Sequence, residues 1–292
     1  MPLVPFQQLM ADAERGGYAV GYFESWNLES LLAVADAAET TRAPVILGFS
    51  GIYRTRRDPL AVHAAMGRAV CRQVSVPACL LFNESPDFDA VLEAVDVGFN
   101  AVMFSGEGDV TAPVKQLCVQ AHAAGAAVEA ELAALPGVGG ELAQRPADLR
   151  LTDPEAAGRF VTNTGVDALA VNVGQVHLHG RQKVRLDLER LDRLKQAVRV
   201  PLVLHGASSV ADDDLVAAIR RGIRKINVGS VLKQTYFRAL RDAAVAVAPN
   251  ANPYEIIGSG LDRDVLMAGR VAMQRKVEEL MRLFGSAGKA GQ

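Results

Sequence analysis

Histidines and glutamates at the ends of separate apolar runs are the residues of this chain best placed to do chemistry. His177, His179 and His205 follow such runs, Glu84 follows another, and Glu131 lies within one. Imidazole nitrogen combined with carboxylate oxygen suits Zn, Mn, Co or Fe better than Ca or Mg. A divalent-metal centre built from His177, His205, Glu84 and Glu131 is therefore one reading. The other is that each is a structural residue beside its strand, and spacing alone does not choose. His63 and His122 fall in helical patterns and read as ordinary. A second chemistry rests on small residues. His205-Gly206-Ala207-Ser208-Ser209 and Asn227-Val228-Gly229-Ser230 each follow an apolar run, and the second opens a helical pattern. Exposed backbone N–H groups at a helix start favour a phosphate; the same glycines could simply turn the chain. Carboxylates Glu24 and Glu107 sit at two further tips.

The elements that must position these residues show a regular rhythm. Short runs rich in Val, Leu, Ile and Ala span residues 18–23, 44–49, 77–82, 101–104, 127–132, 168–173, 201–204 and 225–228. They do not alternate apolar with polar, which suits strands buried on both faces. Helical patterns lie between them, at 28–39, 87–97, 112–124, 154–164, 186–198, 211–221 and 231–247, with a last one at about 263–284. Asn27 is placed to cap the first of these. Eight strands each feeding a helix predict an α/β fold, the (β/α)8 TIM barrel, in which the carboxyl ends of the strands carry the site. No Gly-x-Gly-x-x-Gly follows any strand, which weighs against a Rossmann sheet. Residues 1–292 are expected to form one barrel domain with a C-terminal helical extension at about 262–284. The glycine-containing stretch 135–151 reads as a lid or binding loop.

Composition narrows the function. A chain of 292 residues with 50% apolar and 22% charged residues can bury a large core and is not a disordered or collagen-like segment. Its formal net charge of −2 does not match a general nucleic-acid surface. Arg54, Arg56 and Arg57 cluster only locally. Cys71, Cys79 and Cys118 form no Cys-x-x-Cys and read as buried, inert thiols. Asp12 and Glu14 interrupt the first segment, so no signal peptide is expected there, and no apolar run is long enough to span a bilayer. A cytoplasmic protein without nucleic-acid or membrane partners is the expectation.

Taken together, the strand tips resemble the class II, metal-dependent ketose-bisphosphate aldolases over nearly the whole chain. The resemblance rests on Val128-Glu129-Ala130-Glu131-Leu132, on Pro201-Leu202-Val203-Leu204-His205-Gly206-Ala207-Ser208, and on Gly222-Ile223-Arg224-Lys225-Ile226-Asn227-Val228. Trp26-Asn27-Leu28-Glu29 and Leu283-Phe284-Gly285-Ser286 add to it. It implies a metal held by Glu131, His177 and His205, with zinc as the ion. It implies phosphate binding by Gly174, Gly206, Ser208, Asn227, Gly229 and Ser230. It implies that Glu141, after Gly139-Gly140, moves the proton at the nucleophilic carbon.

The departures from the family pattern are as informative. After the third strand the family carries Asp-His, an acid/base and a metal ligand; this chain has Asn83-Glu84. An amide takes up no proton at neutral pH, whereas glutamate can still ligate through oxygen. After the fourth strand Asp-Gly-Ser is replaced by Ser105-Gly106-Glu107, and Glu24 stands where the family has Asn. The histidine of the sixth strand tip is followed by Leu178 instead of glycine. Carboxylates have thus moved as well as disappeared, and Glu24 or Glu107 could take over the proton transfer that Asn83 cannot perform. The expected function is a divalent-metal-dependent lyase that cleaves a phosphorylated ketose through an enediolate. Two alternatives are a metal-dependent isomerase or epimerase of a sugar phosphate and a non-catalytic, aldolase-like subunit. The expected small-molecule partner is a phosphorylated sugar. Apolar residues of the last helix, among them Leu266, Val271, Val277 and Met281, together with the resemblance, point to a homodimer or homotetramer.

Overall fold

The computed structural model describes residues 3–52, 59–132, 135–137, 144–178 and 182–291. Eight parallel strands close into a barrel in chain order. They are β1 (Val20–Ser25), β2 (Val45–Ser50), β3 (Ala78–Ser85), β4 (Ala101–Phe104), β5 (Ala127–Glu131), β6 (Ala168–Ala170), β7 (Leu202–Leu204) and β8 (Ile223–Val228). Each overlaps one of the apolar runs read from the sequence. The described helices are α1 (Phe6–Gly16), α2 (Leu28–Thr41), α3 (Leu60–Gln73), α4 (Phe88–Val97), α5 (Thr111–Ala123), α6 (Pro154–Thr164), α7 (Leu188–Ala197), α8 (Asp212–Arg220), α9 (Ser230–Val245), α10 (Pro253–Ile256) and α11 (Val265–Leu283). The (β/α)8 expectation is met.

Two apolar layers hold the fold. Outward-facing strand residues pack against the helix ring, as in the contact of Leu47, Leu80 and Val128 with buried positions of α2 to α5. Inward-facing residues, including Val20, Ile46, Leu81, Met103 and Val203, fill the barrel interior. That inner layer is continuous with Phe6, Leu9, Met10 and Ala13 of α1, which closes the end of the barrel where the strands begin. Asn100 fastens this closure: its amide donates to the Val4 carbonyl at 2.8 Å and its oxygen accepts from the Leu80 N–H at 2.7 Å. Gln7 donates to Asp167, which also accepts from the Val128 N–H.

The sequence reading gives no helix at α1 or α10, and places His63 in a helical pattern at α3 without giving that helix a range. In α3 the signal is present, since Leu60, Ala64, Gly67, Val70 and Cys71 all lie on its buried stripe. The capping expectation at Asn27 holds, with its side chain accepting from the Ser30 N–H at 2.9 Å. In α11 much of the apolar surplus packs between α2 and α9, with Met273, Val277 and Met281 fully buried, while Val271 is exposed. Phe284 stacks on Phe23 with ring centroids 6.3 Å apart. The three cysteines are buried and unpaired, and burial pushes the Cys71 and Cys118 thiols up to about 12. Among the described residues no helix is long and apolar enough to cross a membrane.

Candidate active site

At the carboxyl end of the barrel lies a cavity of ≈ 380 Å³ whose wall includes Glu24, Asn83, Glu84, His177, His205, Gly206, Ser208, Asn227, Gly229 and Ser230. Side chains alternate along a strand, so Asn83 and Glu84 could not both face inward on a regular β3. Two irregularities solve this. The β3–β4 register shifts between Phe82 and Ser85, and Glu84 adopts a left-handed backbone with φ 49°. Such a conformation is costly for a residue with a Cβ and clusters at functional sites.

Six side chains from four strand tips then form a closed circuit. Lys225 donates to Asn227 Oδ1, and Asn227 Nδ2 donates to Asn83 Oδ1 at 3.1 Å. Asn83 Nδ2 donates to Glu84 Oε2 at 2.8 Å. His205 Nδ1 lies 2.9 Å from Glu84 Oε1, and its Nε2 lies 2.8 Å from Glu129 Oε1 and 3.0 Å from Asn227 Nδ2. Lys225 Nζ lies 2.8 Å from Glu129 Oε2 and closes the loop. Two cations and two carboxylates balance. Asn83 is the link that needs an amide: it accepts on one side and donates to a carboxylate on the other, which an ionised aspartate cannot do.

Electrostatics follow from this packing. Burial would raise Glu84, but the His205 charge and hydrogen bond, with His177 and Lys225 beyond, hold it down to about 2. Burial would lower His205, yet Glu84 and Glu129 raise it to about 10. Burial lifts Glu131 to about 7 against the pull of the His205 charge, and Ser105 Oγ donates to it at 2.6 Å. Glu24 is raised by burial against the pull of Lys233, to which it is hydrogen-bonded. Glu24 Oε2 lies 2.3 Å from where a Cβ on Gly229 would be, so the missing side chain at 229 makes the room that Glu24 fills. The Tyr22 ring also needs a neighbouring glycine, Gly48, and among the described residues its buried hydroxyl has no hydrogen-bond partner.

The small-residue turns are tied to one another. Gly206 has a left-handed backbone, φ 66°, and leads into a 3-10 turn at Ala207–Ser209. Ser208 Oγ accepts from the Val231 N–H at the start of α9, and Ser209 Oγ accepts from the Leu178 N–H. Gly229 precedes α9 and supplies no side-chain cap. The loops after β6, β7 and β8 thus meet at a helix start, where an anion is favoured. Gly174 is set apart: its N–H donates to Asn172 Oδ1 and its carbonyl accepts from Arg145 Nε.

Among the site residues expected from sequence, the structure gathers Glu24, Asn83, Glu84, His177, His205, Gly206, Ser208, Asn227, Gly229 and Ser230 at one cavity. Glu107 is exposed in the loop after β4, and neither it nor Gly174 nor Glu131 is among the cavity-lining residues. Glu141, Gly139, Gly140, His179 and the three clustered arginines lie outside the described residues. The sequence reading gives Lys225, Glu129, Tyr22 and Lys233 no site role, although Glu129 and Lys225 lie in motifs that carry the resemblance. Among the described residues no three His, Cys, Asp or Glu side chains form a finished ligand cage. The donor set nonetheless fits a divalent transition metal. Glu84 Oε1 lies 2.9 Å from His205 Nδ1 and 3.9 Å from His177 Nε2, which sets two imidazole nitrogens around one carboxylate oxygen.

Residues 4–289 match the family model described as fructose-bisphosphate aldolase class-II. The chain is similar to the YdjI aldolase from Escherichia coli K12, with 29% identity, TM-score 0.80 and 99% of each chain covered. It is similar to a Coccidioides immitis protein to which a fructose-1,6-bisphosphate aldolase function has been ascribed, with 30% identity, TM-score 0.83 and coverage of 98% and 97%. It shares its fold with the fructose-bisphosphate aldolase from Campylobacter jejuni, at 20% identity, TM-score 0.80 and coverage of 98% and 97%.

Proposed function

The chain belongs to the class II fructose-bisphosphate aldolase family, and from that premise we propose that it cleaves a phosphorylated ketose in a divalent-metal-dependent retro-aldol reaction. The observation that carries the proposal is the meeting of Glu84, His177 and His205 at the cavity, beside the tied loops after β7 and β8. Glu84, His177 and His205 would hold zinc or another divalent transition metal, with Glu131 as the fourth candidate. When bound, such an ion supplies positive charge that polarises the ketone of the substrate.

The chain's own groups do the rest. N–H groups at the start of α9 and the turn at Gly206 to Ser208 clamp the phosphate and orient the carbon chain. Cleavage requires the hydroxyl beyond the breaking bond to lose its proton as its carbon becomes a carbonyl. Asn83 cannot accept it; Glu24, on the cavity wall and held by Lys233, is the group we assign to that transfer. The electron pair of the broken carbon–carbon bond becomes the enediolate, whose carbon then takes a proton from Glu141. We further propose that the protein works as a homodimer or homotetramer.

Elemental mass spectrometry on protein purified without chelator tests the reading. Near one zinc, cobalt or manganese per chain is expected, falling at least tenfold in His205→Ala and Glu84→Ala. Absence of metal in the wild type after soaking would exclude the mechanism. Conversion of a sugar phosphate without a triose product would favour isomerisation instead.

A further inference from the structure

Glu129 and Lys225 are buried charges that no step of the cleavage uses. Lys225 has no exposed surface, and the Glu129 side chain is 1% exposed. Neither lines the cavity, so neither can touch a substrate there. An ammonium buried this deeply is expensive to desolvate, and well-packed aliphatic residues would fill the same volume at lower cost. Yet the surroundings are built for it. The ammonium meets Glu129 Oε2 at 2.8 Å and Asn227 Oδ1, and lies 5.2 Å from the centroid of the Tyr22 ring. If Lys225 only neutralised Glu129, the carboxylate could end there. Its other oxygen instead accepts from His205 Nε2 at 2.8 Å.

We infer that Glu129 and Lys225 are positioning residues that lock the His205 imidazole with Nδ1, and not Nε2, presented to Glu84 and His177. The inference rests on the metal reading proposed above. A histidine presents one nitrogen to a metal, and a hydrogen bond from the other sets which one and in what plane. Here Nε2 faces Glu129 Oε1 at 2.8 Å, with Asn227 Nδ2 at 3.0 Å, and Glu129 is in turn held by the buried Lys225 ammonium. Nδ1 faces the Glu84 oxygen that also lies nearest His177. Ring rotation would break the Nε2 bond and leave a buried carboxylate oxygen unpaired, so the orientation is enforced from behind.

The test uses the full-length protein, stripped of metal and titrated with Co2+, read by binding competition and by the visible absorption of the bound ion. Glu129→Gln keeps shape and removes charge. The double variant Lys225→Met with Glu129→Gln removes both charges together and carries the test if the single variant does not fold. Both variants, shown folded by thermal melting, are expected to bind Co2+ about 10–100-fold more weakly than wild type. Their absorption band should shift, because the ligand field reports ring orientation. The double variant should be no weaker than the single, since the two residues act as one unit. Wild-type affinity and an unshifted band in folded variants would overturn the positioning role and leave the metal reading standing. Failure of the wild type to bind Co2+ would overturn the metal reading, and the positioning role with it.

Discussion

Replacing Asn83 by aspartate reinstates the residue that related aldolases carry after the third strand, and it should not improve this enzyme. The amide donates to Glu84 Oε2 and accepts from Asn227. Aspartate would set a second carboxylate against Glu84 and break the circuit that holds His205. Asn83→Asp should lower metal content and cleavage rate by about tenfold or more, measured by elemental analysis and triose release. The proton-transfer role of Glu24 has a second test at Gly229, a cavity-lining residue that the resemblance also assigns to phosphate, so kcat and KM must be read separately. A Cβ at Gly229 would lie 2.3 Å from Glu24 Oε2, the free end of a flexible side chain. Gly229→Ala should therefore keep the melting temperature within about 2 °C while cutting kcat about 100-fold, as Glu24→Gln should. An active Gly229→Ala variant would remove Glu24 from the mechanism. His205 and the turns after β7 and β8 were legible in the sequence because their motifs are contiguous in the chain. The circuit was not, because it joins four strand tips. The direction of Glu84 depends on a left-handed backbone that no local pattern announces.

The strands were readable because each is a short apolar run buried on both faces, and most helices because one stripe is apolar. In α1 the apolar signal is confined to Phe6, Leu9, Met10 and Ala13, whose helical spacing is interrupted by polar residues. The joints between elements were not readable at all, since they depend on single polar groups reaching across the fold. Glu39, on α2, is such a joint: its carboxylate accepts from the Ser75 and Val76 N–H groups and from Ser75 Oγ before β3 begins. Burial is the largest single influence and opposes its charge, but the bonds from Ser75 and Val76, with Arg42 nearby, together hold it below its ordinary value of 4.5. A carboxylate lowered in the folded state stabilises above its unfolded value, and that contribution is lost as pH falls through the folded one. The stability gap between wild type and Glu39→Gln, measured by urea denaturation, should be constant from neutrality to about pH 5 and shrink toward about pH 3. A gap independent of pH would show that the carboxylate charge plays no part in the joint.

At the scale of the whole molecule, several large apolar side chains are exposed. Phe237 of α9 is 63% exposed and Tyr254 of α10 87%, and Ile257 and Leu261 are exposed as well. Light scattering on the purified protein should give a mass two or four times 31.1 kDa, reduced in Phe237→Glu; a monomer at micromolar concentration would refute the proposed oligomer. A different consequence comes from α1. Among the described residues the helix stoppers the floor of the barrel, and the cavity lies at the other end. A reaction that makes two molecules from one at such a mouth has a queue. On the proposed seating of the phosphate in the turns after β7 and β8, the fragment held there is expected to leave last. Run backwards, loading takes the opposite order, so the sequence of traffic is set by architecture before affinity has any say.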